Sequence, residues 1–110
     1  MAWSRRTLSI STAGTTVVVP AVAGRIPKIV RYSLDASGNN NATLDVQDTS
    51  GTSLTGGPIS LSTGISAFNY ASPEDAVNNP LYSANPGLGI QFVTAGTTAA
   101  ITGWIDYFYN

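Results

Sequence analysis

The chain has no cysteine and no histidine. Without cysteine there is neither a disulfide nor a thiolate metal site, so packing and hydrogen bonds must hold the fold. The compartment stays open, since a cysteine-free chain suits reducing and oxidising surroundings equally. Without histidine the commonest general base is missing, and with it the Ser-His-Asp and Cys-His constellations and most transition-metal sites. Charge is scarce as well: five basic and six acidic residues make up 10% of the chain and leave a net charge of −1. That is too little basic charge for the multi-phosphate contacts that dominate nucleic-acid affinity. Lys28 is the only lysine, and no Gly-x-Ser-x-Gly turn accompanies it to support a Ser-Lys dyad. No apolar run approaches the ~20 residues of a membrane helix. The opening Met1-Ala2-Trp3-Ser4-Arg5-Arg6 leads into no apolar segment, which argues against a secretory signal. These absences point away from an enzyme and from any cofactor.

What remains is β-forming. The 110 residues suit one domain, taken as 1–110, able to bury about two-thirds of the surface its unfolded chain exposes. Thr, Val, Ile and aromatic residues carry short alternating runs, with turn clusters about every eight to twelve residues, the signature of a sandwich or barrel. Residues 3–12 put Leu8 and Ile10 on one face and Thr7 and Ser9 on the other. Residues 15–19 form a second run ended by Pro20. In 26–35, Val30, Tyr32 and Leu34 are expected to face the core and Ile29, Arg31 and Ser33 to face away. Residues 37–41 read as a solvated Gly/Asn loop. Leu44 and Val46 point inward from 42–49, with Asp45 and Gln47 outward, and Ile59 and Leu61 are inward candidates on the next strand. A short run at 65–70 follows, and 88–94 and 99–109 are the two closing strands. The expectation is an all-β, single-domain antiparallel β-sandwich of about eight strands.

The long Pro-rich segment 71–87 stands apart as an interface candidate. Within it, Ser72, Pro73 and Asp75 suit the start of a helical turn. That turn explains the Glu74-Asp75 pair better than a calcium loop, which needs more oxygen ligands at regular spacing. Asp45 and Asp48 have opposite parity and cannot serve one two-carboxylate site. Asn41-Ala42-Thr43 matches a glycosylation sequon, a match that is accidental if the host is bacterial, as the resemblance described below implies.

Charge is segregated: every basic residue lies at or before Arg31 and every acidic one at or after Asp35. Two readings stay open, a last strand that folds back beside the first, or a basic end that docks on an acidic surface. On the last strand Ile101, Gly103, Ile105, Tyr107 and Tyr109 form the expected core face, leaving Trp104, Asp106 and Phe108 outside. An outward Trp104 fits a subunit-interface anchor better than a sugar-stacking platform.

Four segments together suggest a family: "STAGTTVVVPAVAGRIPKIVRYSL", "GTSLTGGPISLS", "YSANPGLGIQF" and "TTAAITGWIDYFY". The Gly24-Arg25 turn before a core strand, the Gly51 to Gly56 turn with Leu54, and the Gly103 to Tyr107 ending carry the likeness. In these features the chain resembles small β-sandwich proteins of tailed bacteriophages. That resemblance implies a jelly-roll-like decoration or cement protein of the virion, made in the bacterial host cytoplasm and seated on the capsid surface. It implies a homotrimer bound to the major capsid protein, with no nucleic acid and no membrane involved. Related domains also serve as tail or fibre-tip receptor-binding modules, where a host glycan is the partner. The chain begins and ends within a few residues of its outer strands, with no stalk to tie it to a tail, which favours the capsid role. The residues expected at the contact are Trp3, Arg5, Arg6, Arg25, Trp104 and the loop carrying Tyr82, Asn85 and Pro86.

Overall fold

A computed structural model describes residues 3–36, 38–39, 41–61, 65–70, 80–96 and 100–110, with 65–70 given as backbone. Alternating apolar and β-branched residues produce nine strand segments: β1 (Ser4–Ile10), β2 (Gly14–Val19), β3 (Pro27–Asp35), β4 (Thr43–Asp48), β5 (Ile59–Ser60), β6 (Ile65–Tyr70), β7 (Tyr82–Ser83), β8 (Ile90–Ala95) and β9 (Ile101–Tyr109). They pair antiparallel into two sheets, β1-β9-β3-β6 with the two-residue β7 added to β3, and β2-β8-β4-β5. With β7 set aside this is the eight-strand jelly-roll order. Successive strands mostly alternate between sheets, so most connections cross the sandwich and both inner faces fill one core.

That core matches the alternation read from most strands. Leu8 and Ile10 of β1, Leu44 and Val46 of β4, Ile90 and Phe92 of β8, and Ile101 and Ile105 of β9 are all buried. Among the described residues Phe92 is the largest fully buried side chain. Tyr107 and Tyr109 pack at the rim of the same core, edge to face with each other. Leu61 is buried and Ile59 packs against the core from β5.

Strand β3 departs from the expected pattern. Against β9 its register runs Ile29↔Tyr107 and then Arg31↔Asp106, so Val30 is an extra residue, a β-bulge. A bulge shifts parity by one. Ile29 therefore joins Tyr32 and Leu34 in the main core, and Val30 turns outward into a second small cluster with Phe108 and the half-buried Trp3. The Gly/Asn loop is also corrected at one position. Asn39 is fully buried, and its side-chain amide donates to the Ala36 carbonyl at 3.2 Å, so it closes the turn from inside while Asn41 remains exposed. The expected helical turn with Glu74 and Asp75 lies outside the described residues, as do Ser37, Asn40 and the 97–99 part of the last connection.

Gly89, Gly96 and Gly103 each press on neighbouring backbone, and Gly103 does so most tightly. At Gly103, midway along β9, a Cβ would lie 1.9 Å from the Ser33 carbonyl oxygen of β3, and φ is +154°. Backbone cannot yield as a flexible side chain can. Gly103→Ala is expected to destabilise the fold by about 2–4 kcal/mol, seen as a lower urea midpoint with unchanged slope. A midpoint equal to that of the parent protein would show that β3 does not press on β9 at this point.

Candidate functional site

Parity places the even-numbered residues of β9 on the outer face of the first sheet, and the centre of that face is Asp106. It pairs across to Arg5 on β1 and to Arg31 on β3. The Arg5 guanidinium grips the carboxylate with two hydrogen bonds, Nε to Oδ1 at 2.8 Å and Nη2 to Oδ2 at 3.0 Å. Arg31 donates from its own Nε to Oδ2 on the opposite side. One carboxylate thus ties three neighbouring strands together. Its side chain is only 4% exposed, whereas those of Arg5 and Arg31 are 49% and 39% exposed. The charge excess of one guanidinium therefore faces solvent.

Tryptophan rings frame this ion triad. Arg5 lies 3.9 Å from the ring centroid of Trp104, and Arg31 lies 5.4 Å from that of Trp3 and 5.9 Å from that of Trp104. All three are within the range of cation–π attraction. Arg31 and Asp106 were not among the residues singled out from the sequence. Both had outward parity, but only the strand order reveals that they adjoin Arg5. Because the last strand returns between the first and the third, it brings Asp106 of the acidic part of the chain to Arg5 and Arg31 of the basic part.

The other expected contact residues fall elsewhere. Arg6 has inward parity on the edge strand β1, and its Nη1 donates to the Val18 carbonyl of β2 at 3.0 Å, bridging the open side of the sandwich. Arg25 is exposed and reaches the Tyr109 carbonyl at 3.3 Å. Asn85 and Pro86 are exposed in a turn whose Gly87 amide donates to the Arg25 carbonyl, so these three form an end loop. Tyr82 is half-buried and stacks on Tyr32, with ring centroids 6.1 Å apart. Burial, aided by its hydrogen bond with Tyr32, raises the Tyr82 phenol well above its ordinary pKa. Trp3, Arg5 and Trp104 are therefore brought together, and the remaining five are not.

The second sheet carries a different kind of polar group. Asp45 points outward from β4 yet is buried, because the 49–57 turn folds over it. It accepts from Ser53, Gln47 and Thr55. Asp48 closes the turn itself, accepting from the Ser50 amide and hydroxyl and from the Thr52 amide. The two carboxylates are consumed by separate local networks, as their opposite parity requires. Among the described residues no three His, Cys, Asp or Glu side chains gather where they would hold a metal ion.

All three buried carboxylates titrate below their ordinary value. For Asp106 the hydrogen bonds from Arg5 outweigh the cost of burial, with Arg31 adding to them; Ser53 leads at Asp45 and Ser50 at Asp48. A carboxyl whose folded pKa is depressed leaves the unfolded chain to bind protons first as pH falls. Its stabilisation is complete above about pH 5 and is lost as the pH drops below about 4. Asp106→Asn should make that acid loss shallower and cost roughly 1–3 kcal/mol at neutral pH, read from urea midpoints across a pH series. Unchanged midpoints at every pH would mean that the triad contributes nothing.

No known protein family, curated protein or solved structure matches the chain, so the face formed by Trp3, Arg5, Arg31 and Trp104 has to be read from its own chemistry.

Proposed function

We propose that the protein is a decoration subunit of a bacteriophage capsid, which stabilises the shell by bridging neighbouring major capsid subunits without covalent bonds. The observation that carries this reading is the combination of a jelly-roll framework with a preassembled arginine–tryptophan face on one sheet. Trp and Arg are the residues in which interface energy concentrates. The features behind the phage resemblance occupy ordered positions in that framework. Gly24-Arg25 forms the turn before β3, Gly51 to Gly56 lies in the turn over β4, and Gly103 to Tyr107 lies within β9.

A clamp of this kind adds interfaces that must break before shell subunits separate, so many copies of a weak contact raise the threshold for rupture. The alternative, a glycan-binding tip, is less well supported. A sugar platform needs a bare aromatic face, yet Arg5 lies over Trp104 and Tyr32 stacks on Tyr82. Particles prepared without this protein should release their genome at lower temperature, or under lower osmotic shock, than complete particles, and adding purified protein back should restore the threshold. Equal robustness with and without it would count against the decoration role.

A further inference from the structure

The same face carries information about what it meets. We infer that the outer face of the β1-β9-β3 sheet docks, through Arg5 and Arg31, on a carboxylate-bearing surface of a different protein. This rests on the decoration reading and names the chemistry of the partner surface.

The argument begins with the donors. A guanidinium has five N–H groups in a fixed fork suited to carboxylates. Among the described residues Arg5 spends Nε and Nη2 on Asp106, and Arg31 spends only Nε. The Nη groups of Arg31 and Nη1 of Arg5 retain hydrogen-bonding capacity on side chains that are 39% and 49% exposed. Asp106 fixes both guanidiniums from below, and the indoles of Trp3 and Trp104 flank them. A partner carboxylate would therefore meet donors already held in place, with little side-chain entropy left to lose. The half-buried indoles that flank the donors suit a partner that contacts guanidinium and ring edge together.

Among the described residues, the second sheet offers no open carboxylate through which a second copy of the chain could dock. Asp45 and Asp48 are each surrounded by three in-chain donors, and Asp106 belongs to the face itself. Asp35 lies at the far end of the same β3 strand, four residue pairs from Arg31, so the positive end of the face is the corner near Trp3. Two arginines with one carboxylate between them are also too few for a phosphate backbone.

The test uses genome-free shells that lack the protein, with binding of purified full-length protein followed by sedimentation. Wild-type binding should weaken as ionic strength rises. Arg31→Gln and Arg5→Gln should each weaken it by roughly fivefold, with Arg31→Lys recovering part of the loss. Because either variant also disturbs Asp106, the partner is altered in a second arm. Shells whose surface carboxylates have been amidated with carbodiimide and glycinamide should bind the unmodified protein at least as poorly as untreated shells bind the variants. Salt-independent binding that survives amidation would overturn the inference while leaving the decoration role standing. Loss of binding on Arg25→Gln, with Arg5→Gln and Arg31→Gln binding fully, would place the dock at the end loop and overturn it too. No binding to shells under any condition would overturn the decoration role together with the inference.

Discussion

The structure depends on the last strand entering between the first and the third. Strand β9 has β1 on one side and β3 on the other, so the sheet has no continuous centre until the carboxyl-terminal residues arrive. Ile101 and Ile105 then fill the core, Gly103 lets the β3 backbone approach, and Asp106 draws Arg5 and Arg31 toward each other from strands that do not touch. Strand β8 does the same in the other sheet, lying between β2 and β4. Strands β8 and β9 both come from the end of the chain, which makes the decisive contacts long-range and their loop-closure cost large. Among the described strands only β4 and β5 pair with a chain neighbour, so a sandwich built this way gains little from local pairing.

Much of this was legible in the sequence, for a simple reason. Where a strand pairs regularly, side chains alternate with period two, and apolar alternation identifies the buried face directly. That holds for β1, β4 and β9, including the outward placement of Trp104 and Asp106. It fails on β3, because a bulge is set by the partner's register and leaves no mark in local alternation. Ile29 and Val30 are both β-branched and apolar, so either can face the core. Only pairing with Tyr107 and Asp106 on β9 assigns Ile29 to the main core and Val30 to the outer cluster. Asn39 was missed for a related reason: composition says that Asn favours solvated turns, whereas its amide here satisfies the Ala36 carbonyl inside the fold.

The candidate site was half legible. Parity put Arg5 and Trp104 outside, but their meeting with Arg31 and Asp106 depends on strand order, which alternation does not encode. The charge segregation was the one non-local signal, and it had two meanings. Asp106 resolves one of them, since its two arginines come from the basic third of the chain. The two outer faces consequently differ in chemistry. Around β8 the second sheet offers Thr15, Val17, Gln47, Gln91 and Val93, with its acid Asp45 covered by a turn. The first sheet offers guanidinium and indole.

The cost of building the arginine face bears on its purpose. Exposed ion pairs contribute about 0–1 kcal/mol, and ordering two long side chains opposes even that. Nearly burying Asp106 adds a desolvation cost that the two arginines must offset. A β-branched or aromatic residue at position 106 would suit the sheet and avoid that cost. The carboxylate makes physical sense as an orienting group. It holds Arg5 against Trp104 and Arg31 between the two indoles, so the ordering penalty is met during folding and not at the moment of contact. A surface stabilised only for the isolated chain has no need of such fixed, half-exposed donors. A surface that must engage one partner repeatedly, with each contact weak, benefits from having them in place beforehand.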